Sequence, residues 1–373
     1  MTLPGDKFPA DYYQARDWFR DQIWSIQTDR PEAELHKQRI SPVEDLTIDW
    51  IIAPPQRKRT RCLILSTGLH GVEGFLGAAI LKLFLEEYFP RLVGEETALL
   101  LVHCLNPWGM VNMRRVNAGN VDLNRNFFIK TDDFQQEINP AYRQLIRLFQ
   151  PMRPLGRLQG ERCRFLLRLA AAVVNNGAEQ IKRAFLLGQN SHSQGPYFSG
   201  KDYQPESKII MGLLREQLES YQQVVHLDIH SGYGPHRQMS LVCSPQEEKP
   251  SKELTVMFDY PLVVAADPAQ FYSIRGDLID WSYHFSRSVP GASYLGMALE
   301  FGTLGDSFPA QIAGMMRMIF ENQVVQQGGM ELAAIHKVRA DFLEMFFPSS
   351  DAWWQKALQD ARRAFQGILS AIG

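Results

Sequence analysis

Cysteine is scarce in this chain, four residues among 373, and no two of them stand in a Cys-x-x-Cys spacing. That leaves neither a thiolate metal cluster nor a disulfide framework to consider. Cys62 and Cys104 fall in apolar runs, where a free thiol behaves as a small hydrophobe. A reduced, cytoplasmic protein is the expectation. Also absent is any run approaching the roughly 20 apolar residues that a membrane helix needs. The N-terminus shows no basic segment followed by an apolar one, so no signal peptide is expected. Net charge is only −2 and the isoelectric point about 6.5, which gives no bulk electrostatic case for nucleic acid or an anionic membrane. Repeats, low-complexity tracts and linkers are missing too, so a single domain spanning 1–373 is expected. The remainder, 45% hydrophobic and 21% charged, is an ordinary globular composition with ample material for a core.

The most informative stretch is Leu63-Ile-Leu-Ser-Thr-Gly-Leu-His70-Gly-Val-Glu73-Gly. It reads as an apolar strand that breaks at Gly68 and delivers a histidine and a carboxylate three residues apart. A helix follows over about 74–89, with Leu76, Ala79, Ile80 and Leu83 at helical period. Strand end to helix start is where open α/β sheets place ligands. A His-x-x-Glu pair alone is more often structural than chemical, so the rest of the chain has to supply the remaining groups.

Further along, strands are expected over 46–52, 98–105, 223–230, 261–265 and 294–301. Helices are expected over 11–26, 205–221, 278–286 and 309–327, with two more in the last forty residues around Pro348-Ser-Ser-Asp351. Asn106-Pro107-Trp108-Gly109 reads as a turn. The segment 113–127, Met-Arg-Arg-Val-Asn-Ala-Gly-Asn-Val-Asp-Leu-Asn-Arg-Asn-Phe, has no period but is dense in hydrogen-bonding and anion-binding groups, as functional loops are. Between 140 and 187 the pattern turns helical and basic, which suits helices packed on the core or on another subunit. A long polar loop follows over 188–204. Strands alternating with helices predict a mixed, mainly parallel sheet with helices on both faces.

Three predicted strands end in polar turns bearing His70 and Glu73, His230, and Glu300. Two histidines and a glutamate with one open position make a catalytic zinc arrangement. His226, Asp228 and His230 share one strand face, so a set using Asp228 stays open. Glu300 closes an otherwise apolar strand, and hydrolysis at zinc needs a base to take a proton from water. Arg125 beside Asn124 offers a fork for a carboxylate. Asp122 could accept the outer N–H of a ligating histidine, and Arg114 or Arg115 could stabilise an oxyanion.

The order His70-x-x-Glu73, an arginine, Asp122-Leu-Asn124-Arg125, His230-Ser and Leu299-Glu300 resembles the M14 zinc carboxypeptidase family. Gly-Leu-His-Gly-Val-Glu-Gly, Asn-Val-Asp-Leu-Asn-Arg-Asn-Phe and Leu-Glu-Phe-Gly-Thr resemble more closely its bacterial DUF2817 branch. The resemblance spans about 62–303. It implies an eight-stranded sheet sandwiched by helices and one zinc ion per chain held by His70, Glu73 and His230. It further implies Glu300 as general base, Asn124 and Arg125 on the substrate's terminal carboxylate, Asp122 orienting His70, and Arg115 or Arg114 polarising the scissile carbonyl. Arg115 is preferred as the nearer to Asp122. A substrate-contacting tyrosine is expected at Tyr283 or Tyr272.

Glu73 and His230 are farther apart than the resemblance leads one to expect, so 150–204 reads as an insertion and 328–373 as appended C-terminal helices. The expected function is cleavage of an amide bond next to a free carboxylate, on a small peptide. One alternative is deacylation of an N-acyl amino acid, as in the aspartoacylase and succinylglutamate desuccinylase branch. A second is a catalytically silent metal-binding module, against which the presence of Glu300 argues.

Overall fold

A computed structural model describes residues 9–56, 60–92, 96–265 and 274–372. Eight strands build one sheet: β1 Glu34–Arg39, β2 Thr47–Ala53, β3 Arg61–Thr67, β4 Thr97–His103, β5 Gln223–Ser231, β6 Met239–Cys243, β7 Val263–Ala265 and β8 Ser293–Phe301. Their order is β1-β2-β4-β3-β5-β8-β6-β7. Strand β3 runs parallel to both β4 and β5, β5 parallel to β8, and β6 parallel to β7. The β1–β2, β2–β4 and β6–β8 pairs are antiparallel. The sheet is therefore mixed and mainly parallel, as expected.

The central strands read as unbroken apolar runs because both their faces are covered. Leu63, Leu65, Leu99, Leu101 and Leu227 pack against the helices Tyr12–Asp29, Gly74–Glu87 and Asp351–Ile372. Cys62, Ile64, Leu100 and Val102 pack against Pro205–Ser220 and Leu278–Ser286 on the opposite face. A third apolar cluster joins the helices Leu158–Asn176 and Ala178–Leu186 to Phe308–Gln327 and Leu332–Phe346. Val72, in the turn after β3, is part of it, so this layer is anchored at the His70–Glu73 turn.

Two strands carry no signal that period-based reading detects. The edge strand β1 is mostly exposed and polar, so apolar alternation is absent. Strand β6, Met-Ser-Leu-Val-Cys, is short and buried along nearly its whole length. Asn106–Gly109 is not a plain turn but the start of a short helix, Pro107–Val111. Asn106 caps it by accepting from the Gly109 N–H at 2.8 Å, with proline at the first helical position, where its missing N–H costs nothing.

Gly68 sets how the chain leaves β3. Its φ is +67°, and a Cβ there would lie 2.2 Å from Cys104 Sγ. Gly68→Ala therefore meets both left-handed strain and a steric overlap, and is expected to cost about 2 kcal/mol or more of stability. Adding Cys104→Ala should recover part of that loss. Chemical denaturation of the two single variants and the double variant measures the coupling. Strictly additive losses would show that the overlap is not what excludes a side chain.

Candidate metal centre

The three strands β3, β5 and β8 are neighbours, and their C-terminal ends form one edge of the sheet. In the β5–β8 register His230 sits opposite Glu300, and His70 follows β3 by three residues. Three distant stretches of chain thus meet at one point, in the crevice position of an α/β sheet.

Glu73 lies at the centre, 1% exposed. Its Oε1 is 2.9 Å from His70 Nδ1, and its Oε2 is 3.1 Å from His230 Nδ1 and accepts from the Ser231 N–H at 3.0 Å. The two imidazole Nδ1 atoms are only 3.3 Å apart. Burial alone would raise the Glu73 carboxyl. The charge of His70 and hydrogen bonds from both histidines overcome it and bring the group down to about 2.

Each histidine faces a second carboxylate with its outer nitrogen. His230 Nε2 is 2.6 Å from Asp228 Oδ2, and His70 Nε2 is 3.2 Å from Asp122 Oδ1. Burial opposes the charge on His230, but Asp228 and then Glu73 hold it well above the usual imidazole value. Burial likewise opposes ionisation of Asp122, yet Arg115, Arg125 and His70 keep it well below the usual carboxylate range. Asp228 thus serves the outer nitrogen of His230 and does not join the donor triad.

Behind Asp228, β5 carries a buried polar line. Ser66 donates to Asp228 Oδ1 at 2.6 Å and lies 2.7 Å from His226 Nε2, whose Nδ1 is 2.9 Å from the Tyr294 hydroxyl. Burial pushes His226 down to about 4. The period-two pattern His226-x-Asp228-x-His230 is the sequence signal for this line, with Val225, Leu227 and Ile229 on the opposite face.

The donor set fits a small divalent ion. Ligand atoms 2.0–2.1 Å from a tetrahedral ion lie about 3.3 Å from one another. His70 Nδ1 and His230 Nδ1 stand 3.3 Å apart, facing Oε1 and Oε2 of Glu73 at 2.9 and 3.1 Å. With one ligand atom from each residue the three lie within 4.8 Å of one another, the one His/Cys/Asp/Glu group of that kind among the described residues. Both histidines offer Nδ1. Asp228 holds the Nε2 of His230 by a hydrogen bond, the arrangement that fixes a ligating ring, while Asp122 stands 3.2 Å from the Nε2 of His70 without completing one.

These residues line a cavity of about 360 Å³ that also includes Arg115, Asn124, Arg125 and Glu300. Glu300 accepts the Tyr233 N–H at 2.9 Å. Burial pushes its carboxyl up to about 7, with His230 opposing and Glu73 adding to the rise. Arg115 donates to Asp122 at 2.9 Å, reaches Glu73 at 3.4 Å, and rests over Tyr197. Arg114 instead pairs with Glu321 at 2.8 Å, outside the cavity lining. Arg125, 1% exposed, gives three of its five N–H donors to the carbonyls of Leu186 and Asn124. It has no carboxylate within salt-bridge distance among the described residues. The Asn124 side chain is engaged with the start of the helix Leu278–Ser286, donating to Asp277 Oδ2 at 2.9 Å and accepting from the Leu278 N–H at 3.0 Å.

Tyr283 is not brought to the site. Its hydroxyl donates to Glu247 and accepts from the Gly296 N–H, away from the cavity. The helical stretch 278–286 turns this ring toward β8, a direction that spacing from Glu300 does not encode. The tyrosines lining the cavity are Tyr197 and Tyr233. Tyr272 lies outside the described residues.

Sequence reading also passed over Asp277 and Asp280 in the cavity wall. Asp277 caps the helix, accepting from the Ile279 and Asp280 N–H groups. Asp280 accepts from Ser244 and has no salt-bridge partner among the described residues. Burial, then Asp277, pushes its carboxyl up to about 7 from 3.8. The unfolded chain gives up this proton near pH 4, whereas the folded one keeps it to about pH 7. Asp280 therefore costs stability progressively as pH rises between those values. Asp280→Asn should raise Tm relative to the parent protein at pH 8, with the gap closing toward pH 4. A gap that does not depend on pH would mean that Asp280 ionises normally.

Residues 8–360 match the model of a family described as a protein of unknown function, DUF2817. No curated protein matches the chain. Among solved structures, carboxypeptidase A from Helicoverpa armigera is similar over 90% of this chain and 73% of its own, at 15% identity and TM-score 0.47. Thrombin-activatable fibrinolysis inhibitor is similar over 89% of this chain and 74% of its own, at 16% identity and TM-score 0.48. Its bovine form, in complex with tick carboxypeptidase inhibitor, is similar over 90% and 97% at 14% identity and TM-score 0.46. No helix among the described residues is long and apolar enough to cross a membrane.

Proposed function

This chain belongs to the DUF2817 family, and from that premise we propose that it is a zinc-dependent hydrolase cleaving an amide bond next to a free carboxylate. The observation that carries the reading is the spacing of the three donors of His70, Glu73 and His230 around one point, beside a carboxyl raised to about 7 on Glu300. When bound, zinc supplies a Lewis acid that polarises a carbonyl and makes water a nucleophile near neutral pH.

The chain's own groups do the rest. Glu300, fixed through Oε1 by the Tyr233 N–H, accepts a proton from the attacking water through Oε2. As the C–N bond breaks it passes that proton to the leaving nitrogen, giving an acid and an amine. Arg115, oriented by Asp122, Glu73 and the Tyr197 ring, stabilises the oxygen of the carbonyl under attack. Arg125 keeps two N–H donors for the substrate's carboxylate, and the Tyr197 ring supports it at 5.1 Å. Asn124 acts chiefly by holding Asp277 and the helix start that frame this end of the cavity. Asp277 and Asp280 in the same wall favour a substrate half that bears a cation as well as the carboxylate.

Glu300→Gln is expected to lower kcat by about 10²–10⁴-fold while zinc content and KM stay near the parent values. Arg125→Ala is expected to act mainly on KM. A panel of dipeptides against N-acyl amino acids, compared by kcat/KM, separates peptidase from deacylase. Unaltered hydrolysis by Glu300→Gln would rule out this assignment of the base, and full zinc occupancy without turnover on the panel would favour a silent metal-binding module.

A further inference from the structure

A second cavity, of about 120 Å³, adjoins the one at the metal centre. The two share Leu186, Tyr197, Gly232, Tyr233 and Met345 as walls. Beyond that boundary the lining changes character. Leu169 and Val173 come from the helix Leu158–Asn176, Phe185 from Ala178–Leu186, and Ile312, Met315 and Met318 from Phe308–Gln327. Lys182 is the one charged side chain among the described lining residues. Methionines are unbranched and conform to flexible apolar guests.

The position of the opening decides which half of a substrate could enter. Gly232 and Tyr233 follow His230 and Ser231 directly, and the Tyr233 N–H holds Glu300 at 2.9 Å. The opening therefore lies beside the base and a metal ligand. Asp277 and Asp280 line only the first cavity, and Arg125 lines it from the far side of the shared walls Leu186 and Tyr197. The groups that suit a carboxylate and a cation therefore face the first cavity and not the second. An amide substrate set across the donor triad has its amino-acid half toward those charges, which leaves its acyl half facing the apolar opening.

We propose that this second cavity receives an aliphatic acyl chain on the carbonyl side of the bond that is cut. The site would thereby select substrates with a charged amino-acid half and an extended apolar acyl half. The proposal rests on the hydrolase reading above for the direction of the substrate.

The test uses Nα-acetyl-, Nα-butanoyl-, Nα-hexanoyl- and Nα-octanoyl-L-lysine. Their binding to the full-length, zinc-loaded Glu300→Gln protein is measured by calorimetry, so affinity is read without turnover. Burial of the chain predicts that Kd falls by about fourfold per methylene until the cavity fills, making the octanoyl compound at least about tenfold tighter than the acetyl one. Gly314→Leu supplies the second arm. A Cβ at Gly314 would stand 3.7 Å from Met345 Sδ and 3.9 Å from Leu304 Cδ1, both cavity walls. The leucine would thus grow into the cavity and should bring the octanoyl-to-acetyl ratio close to one.

Flat or undetectable affinity across the series overturns the proposal. So does a chain-length dependence that survives Gly314→Leu, because the chain would then bind elsewhere. Turnover by the parent protein separates the two readings. Chain-length-dependent binding with no hydrolysis keeps the cavity assignment and removes the hydrolase, whereas hydrolysis with flat binding does the reverse.

Discussion

One buried carboxylate organises this end of the molecule. Glu73 is almost fully removed from water and has to be compensated within the protein, because an unpaired carboxylate in such a place costs several kcal/mol. Compensation comes from four directions: His70, His230, the Ser231 N–H and Arg115. His230 and Ser231 arrive together at the end of β5, His70 on the turn after β3 and Arg115 on a third stretch, so satisfying one acid fixes the relative positions of β3, β5 and the loop that carries Arg115. Two imidazoles brought this close to one carboxylate leave their nitrogens directed at a common centre, which is a donor set for a cation.

The outer nitrogens extend the same logic. Asp228 orients the His230 ring by a hydrogen bond and Asp122 stands behind His70 at 3.2 Å, and each acid is itself held in place, Asp228 by Ser66 and Asp122 by Arg115. Along β5 the polar line continues through His226 to Tyr294. Polar side chains in a covered strand are tolerated only when every one has a partner. The alternation in β5 sends apolar residues to one helical layer and this hydrogen-bonded line to the other. Rigidity at the centre follows from that closed network, while the two cavities beside it remain open space bounded by different chemistry.

Much of this was legible in the sequence, for identifiable reasons. The apolar runs Leu63–Leu65 and Leu99–Val102 announced strands covered on both faces, and the polar groups at the ends of β3, β5 and β8 stood out against them. What escaped is equally instructive. Edge strand β1 is exposed and carries no apolar alternation, and β6 is short enough to pass for a loop remnant. Tyr283 has suitable chemistry, but a helix start capped by Asp277 rotates it away. Asp277 and Asp280 look like ordinary helix-start acids, and only the tertiary fold shows that they also line a cavity. The apolar cavity forms where the consecutive helices Leu158–Asn176 and Ala178–Leu186 meet Phe308–Gln327, far along the chain, so no local pattern could reveal it.

X-ray absorption at the zinc K-edge, on the full-length protein loaded with zinc, tests the central claim most directly. The expected spectrum shows one ion per chain with two imidazole nitrogens at about 2.0–2.1 Å, oxygen from carboxylate and water in the remaining positions, and no sulfur. His230→Ala should remove one imidazole contribution and weaken retention of the ion. Sulfur scattering at about 2.3 Å, a shell unaffected by that substitution, or failure to hold zinc at all would contradict the account.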